Sequence, residues 1–192
     1  MRRSLKMRKL LIIAGSAGAI EAVRELLSHL SKDIDYSVIV LIHQKEQCLV
    51  SLANSLRDST TLPVVDPEDG VELLNGFIYA APPLYHMQVE QNFHISYALD
   101  DRVKFSRPSI DVLLQTAAWA YHKHLRVVIL SGSSSDGANG AQKVLSYGGR
   151  VYVHDPDEAQ VAIMPKSVLE ACQISKAYPL KELTDMLRDW RS

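Results

Sequence analysis

Three residue types that together make a nucleophilic triad each follow a continuous apolar run. Ser16 follows Leu10–Ala14, His43 follows Tyr36–Ile42, and Asp136 lies in the small-residue loop after Leu125–Leu130. A serine hydroxyl is a poor nucleophile until a base takes its proton, and an imidazole titrating near neutrality can do so. A carboxylate then fixes the imidazole tautomer and stabilises the imidazolium. Ser16 also opens a helical pattern. The amides of Ala17 and Gly18 would therefore lack intrahelical partners and could serve as oxyanion donors. Each residue has a second reading. Ser16 can cap the following helix, His43 can be an ordinary strand-end histidine, and Asp136 can cap the helix that starts near Ala138. His86 is a rival base.

The surrounding sequence narrows the chemistry. Ala14-Gly15-Ser16-Ala17-Gly18 lacks the first glycine of G-x-S-x-G. The order Ser, His, Asp also differs from the orders of the hydrolase, chymotrypsin and subtilisin families. The first turn carries neither dinucleotide nor P-loop glycine spacing, so a phosphate at its helix start is a weaker alternative. No acidic pair follows the first strand, against a phosphate-accepting receiver fold. Cys48 and Cys172 lack metal-ligand spacing, so neither a metal nor a cofactor is expected.

These residues need elements to hold them. Lys9–Ala14, Tyr36–Ile42 and Leu125–Leu130 read as strands buried on both faces of a parallel sheet. Pro63–Val65, Gly76–Ala80, Arg150–His154 and Ile174–Tyr178 read as shorter strands. Helices are predicted over Ile20–Leu30, Leu49–Arg57, Ile110–His124 with Ser109 as N-cap, Ala138–Ser146, Val161–Glu170 and Leu180–Arg191. His86–Glu90 and Phe93–Tyr97 form a hairpin signal around Gln91-Asn92, and Val103–Ser109 reads as irregular. Alternating strands and helices imply an α/β, doubly wound, mostly parallel sheet with helices on both faces and one antiparallel hairpin. Ligands in such sheets sit at the carboxyl ends of the strands, which is where Ser16, His43 and Asp136 fall.

The chain has 192 residues, 47% hydrophobic and 22% charged, with a formal net charge of -1. That suits one globular domain over 9–192 behind a basic tail, 1–8, and argues against general nucleic-acid binding. A basic start, an apolar run and small residues also form the layout of a signal peptide. Here the apolar run merges into a helix carrying Glu21, Arg24 and Glu25, and removing residues 1–19 would delete the first strand. No run reaches the ~20 apolar residues needed to cross a bilayer. A reducing cytoplasm and no membrane insertion are the expectation.

The chain resembles the catalytic domain of the chemotaxis receptor protein-glutamate methylesterases (CheB type). Gly15-Ser16-Ala17-Gly18 with Glu21-Ala22 resembles the nucleophile turn of that family, and Ile42-His43 its histidine segment. Tyr79-Ala80-Ala81-Pro82 with His86-Met87, Arg107-Pro108-Ser109-Ile110-Asp111, and Leu130-Ser131-Gly132 with Asp136-Gly137-Ala138 resemble three further segments in matching order. The resemblance implies a serine esterase that hydrolyses glutamyl methyl esters on chemoreceptor helices and can deamidate glutamines. Ser16 would be the nucleophile, His43 the base and Asp136 its orienting carboxylate. Ala17, Gly18, His86, Arg107 and Ser133 are the expected oxyanion or substrate-pocket residues. The family usually carries a receiver domain ahead of this unit, and none is expected here. Ala17 and Ala19 stand where the family has threonine and glycine, Ile42 replaces a glutamine, Gln44 a methionine, and Ser133-Ser134-Ser135 an acid loop rich in glycine. These departures motivate two alternatives: a catalytically weakened binding or regulatory module, or a small-molecule carboxylesterase.

Overall fold

The structure, a computed structural model, describes residues 8–44, 50–188 and 190. Its main sheet has six strands: β1 (Leu10–Gly15), β2 (Ser37–Ile42), β3 (Val64–Val65), β4 (Ile78–Ala80), β7 (Leu125–Ile129) and β8 (Arg150–Val153). All pair in parallel, in the order β3-β4-β2-β1-β7-β8. The antiparallel hairpin β5 (His86–Val89) and β6 (Ile95–Ala98) forms a separate two-stranded sheet. The fold class read from the sequence is the one observed.

Strand periodicity divides the core into two layers. Leu10, Ile12 and Ala14 of β1 face one cluster together with α3 (Ile110–Tyr121), α4 (Ala138–Ser146), α5 (Ile163–Cys172) and the hairpin. Leu11 and Ile13 face the other, with α1 (Ile20–Ser28), α2 (Leu52–Leu56) and α6 (Leu180–Arg188). Every residue of β1 and β2 is buried, so a continuous apolar run is what both strands require. The hairpin is tied to α3 by the Val89 amide, which donates to Thr116 Oγ1 at 3.1 Å.

β1 is the central strand, and the chain leaves it in both directions. One excursion builds β2, β4 and β3, and the other builds β7 and β8. The crevice beyond the carboxyl ends of β2, β1 and β7 is therefore the switch point of the sheet, the usual place for a ligand.

Several boundaries differ from expectation. Ile174–Tyr178 forms no strand, only a bridge from Tyr178 to His154. The helix expected from Val161 starts at Ile163 and runs to Cys172. Pro165 falls in its first turn, where a missing amide costs nothing. The α2 helix is shorter than the sequence suggested and is followed by a 3₁₀ turn at Arg57–Ser59. The expected start of that helix at Leu49 lies outside the described residues, as do residues 1–7 of the tail. Arg8 is engaged, pairing with Glu72.

Helices α3 and α4 approach closely at Gly140. A Cβ built there would lie 2.6 Å from Leu114 Cβ and 3.1 Å from the Asp111 Cα. Gly→Ala inside a helix ordinarily stabilises by about 1 kcal/mol. At this position overpacking wins, and Gly140→Ala is expected to destabilise by about 1–3 kcal/mol. Urea unfolding checks it as a lowered midpoint with an unchanged m value.

Candidate active site

The site is assembled by backbone bonds between strand ends. Gly15 of β1 is in register with Ile42 of β2, and the His43 amide donates to the Gly15 carbonyl at 3.1 Å. On the other side, the Ser16 amide donates to the Ser131 carbonyl at 2.9 Å. Ser16 and His43 are thus the first residues past adjacent strands, which run about 4.8 Å apart. Both line a cavity of about 570 Å³ with Ala17, Gln44, Arg102, Lys104, Phe105, Ser106, Arg107, Ser133 and Ser134.

Ser16 does not cap α1. That helix starts at Ile20 behind Ala19, with no side-chain cap. The Ser16 carbonyl instead accepts the Ala19 amide at 3.1 Å. Its hydroxyl makes no hydrogen bond among the described residues, and Ala17 beside it is exposed. Gly18 adopts φ +77°, a left-handed conformation that lets the turn enter the helix. A Cβ there would lie 2.6 Å from the Gln160 side chain. The amides of Ala17 and Gly18 have no backbone partner among the described residues. Ala17 borders the cavity and Gly18 does not. Buried Ser131 pins this turn from behind: its hydroxyl donates to the Ala17 carbonyl at 2.7 Å and accepts the Val161 amide at 2.8 Å.

Asp136 is fully buried. Its Oδ2 faces His43 Nε2 at 2.9 Å and accepts the Ile110 amide at 2.7 Å. Its Oδ1 accepts the Ser109 hydroxyl at 2.9 Å and the Asp111 amide at 3.1 Å. Burial pushes the carboxyl upward. The His43 bond and the two amides at the start of α3 outweigh that and hold it below the usual carboxylate range. An ionised carboxylate only accepts, so Nε2 of His43 carries the proton and Nδ1 is the free base. Nδ1 does not meet Ser16. It faces the hydroxyl of Ser106 at 3.3 Å.

Asp111, 2% exposed, does for α4 what Asp136 does for α3. Its Oδ1 accepts the Gly137 amide at 2.9 Å and the Gly140 amide at 2.7 Å. Its Oδ2 pairs with Lys104 Nζ at 2.9 Å, and that ammonium also donates to the Ser135 carbonyl at 2.9 Å. Ser109 caps α3 as expected, accepting the Val112 amide at 3.4 Å.

The other expected residues separate. Arg107 and Ser133 line the cavity, and Arg107 Nη1 donates to the carbonyls of Leu99 and Asp100 at 3.3 and 3.2 Å. His86, the rival base and expected pocket residue, lies away from it. It is 1% exposed, its Nδ1 accepts the Ser109 amide at 3.1 Å and its Nε2 donates to the Asp101 carbonyl at 3.0 Å. With both nitrogens occupied by backbone, it is a structural brace. Sequence reading did not single out Ser106, Lys104, Ser131 or the role of Asp111. Among the described residues no three His, Cys, Asp or Glu side chains could hold a metal ion, and no helix is long and apolar enough to cross a membrane.

Residues 11–187 match the family profile described as CheB methylesterase. A putative protein-glutamate methylesterase/protein-glutamine glutaminase of Leptospira interrogans is 34% identical over 176 residues, covering 92% of this chain and 91% of the relative. The protein-glutamate methylesterase/protein-glutamine glutaminase of Thermotoga maritima is 34% identical over 180 residues, covering 91% of this chain and 52% of that protein. The crystal structure of the Thermotoga maritima CheB methylesterase catalytic domain superposes with a TM-score of 0.89 at 31% identity, over 95% of this chain and 98% of that one.

The depressed carboxyl of Asp136 has a signed consequence. Its contribution to stability is present above the unfolded value near 3.8 and is lost as pH falls through the lower folded value. Asp136→Asn is expected to cost about 2–4 kcal/mol at neutral pH. The gap to wild type should narrow as pH is lowered below 4, measured by urea unfolding across pH. A gap constant down to pH 2 would show that the carboxylate charge contributes nothing.

Proposed function

This chain belongs to the CheB methylesterase family, and from that premise we propose that it hydrolyses γ-glutamyl methyl esters on chemoreceptor helices through Ser16, His43 and Asp136. The observation that carries the reading is the buried, ionised Asp136 on His43 Nε2, with His43 and Ser16 side by side at the switch point of the sheet. Ser16 Oγ attacks the ester carbonyl and its proton passes to His43 Nδ1. Asp136 stabilises the imidazolium, and the amide of Ala17, which borders the cavity, is the donor for the developing oxyanion. Collapse returns the proton to the departing methoxide, releasing methanol and leaving a glutamyl ester on Ser16. A water molecule, deprotonated by the same nitrogen, then frees the carboxylate. Glutamine deamidation follows the same course with ammonia as leaving group, in keeping with the double name of the relatives.

The cavity supports an acidic partner. Among the described residues that line it are Arg102, Lys104 and Arg107, and no carboxylate. A helix bearing carboxylates next to the esterified one would approach this mouth with favourable long-range attraction. A cytoplasmic location follows from that choice of substrate.

Methanol release from a methylated receptor fragment tests the reading. Ser16→Ala is expected to lower kcat by three or more orders of magnitude, up to about 10⁶-fold, with the fold intact by circular dichroism. Equal release by wild type and variant would sink it.

A further inference from the structure

The nitrogen that must take the Ser16 proton is already occupied. His43 Nδ1 has one in-plane lone pair, and the Ser106 hydroxyl lies 3.3 Å from it. With Nε2 protonated toward Asp136, the Ser106 hydroxyl can only donate. Ser106, His43 and Asp136 therefore form a chain resembling a triad, from which Ser16 is left out. Ser106 nevertheless lacks the surroundings of a nucleophile. Its own amide donates to the Val103 carbonyl at 2.8 Å, whereas the free amides of the site follow Ser16.

The turn that delivers Ser106 is unusual. Val103 and Ser106 exchange backbone bonds at 3.1 and 2.8 Å across two residues. Lys104 and Phe105 between them both adopt left-handed backbone, φ +47° and +66°. Such turns favour asparagine and glycine, and a lysine and a bulky phenylalanine there are strained. Lys104 is tied to Asp111 and Ser135, while Phe105 is 91% exposed at the cavity mouth. A strained turn tethered at one side, with its aromatic tip in solvent, is placed where an entering substrate would press on it.

We propose that Ser106 is a positioning residue that sets the resting state of the base: its hydroxyl holds His43 Nδ1 until substrate, seated against Phe105, displaces the Val103–Ser106 turn and leaves that nitrogen to Ser16. The inference rests on Ser16 and His43 being nucleophile and base. At 3.3 Å the bond is long and readily exchanged. Among the described residues, the charged groups around His43 are Asp136 behind it and Arg102, Lys104 and Arg107 across the cavity, with Lys104 paired to Asp111.

The test is the rate at which a small fluorophosphonate, too small to press on the turn, phosphonylates the serine of the free enzyme with loss of fluoride. Ser106→Ala is expected to react about 2- to 10-fold faster than wild type, the equivalent of one ordinary hydrogen bond. Ser106→Thr keeps the hydroxyl and should restore the wild-type labelling rate. Unchanged or slower labelling in Ser106→Ala, with wild type labelled at Ser16, would overturn the role of Ser106 alone. Labelling at Ser106 would overturn both this role and the assignment of Ser16. A wild type that takes up no label would count against the proposed mechanism itself.

Discussion

Two helix starts exchange carboxylates, and the site depends on that exchange. Asp136 precedes α4 but accepts the first amides of α3, and Asp111 in the first turn of α3 accepts amides at the start of α4. Each helix N-terminus is thereby capped by the other, and each buried carboxylate is matched by the positive end of a dipole. A lone buried carboxylate would cost several kcal/mol or take up a proton. Here the donors outweigh desolvation, so Asp136 remains an anion at the back of His43. The arrangement also requires the two helices to meet closely, which is why glycine stands at position 140.

The front of the site comes from the sheet. A parallel sheet with a central first strand places the residues after β1, β2 and β7 next to one another without any long-range pairing of side chains. Register then determines which residues meet: Gly15 opposite Ile42 makes Ser16 the neighbour of His43, and Ala14 opposite Ile129 brings the Ser131 backbone to Ser16. The Ser131 hydroxyl ties the Ser16 turn to the segment before α5. The turn is held by backbone on both sides, so the small residues at 17 and 19 do not have to support it with side chains of their own.

What the sequence made legible follows the range over which each signal acts. Continuous apolar runs announced the buried strands, and alternation with helical patterns announced the parallel sheet. Ser109 was readable as a cap because capping is local. The placement of Ser16, His43 and Asp136 past strand ends was readable because strand-end position is a topological property. Asp111 was visible only as part of a motif, since its partners lie 26 and 29 residues away. Ser106 left no signal, because a left-handed turn at Lys104-Phe105 runs against the preference of both residues. His86 misled because a histidine next to a strand reads alike whether its nitrogens meet substrate or backbone. Ile174–Tyr178 misled because β-propensity measures fit to a half-buried surface, and here Tyr178 meets the sheet by a single bridge.

The charge pattern of the site follows from the same geometry. Protonating His43 places a cation beside Arg102, Lys104 and Arg107, and water screens those interactions across an open cavity. The contact with Asp136 is buried and 2.9 Å long, so it is screened far less and dominates. The carboxylate is nevertheless divided among four donors, which leaves the imidazolium only part of its field. In the reaction we propose, the oxyanion that develops beside Ser16 balances the imidazolium at the step where both form.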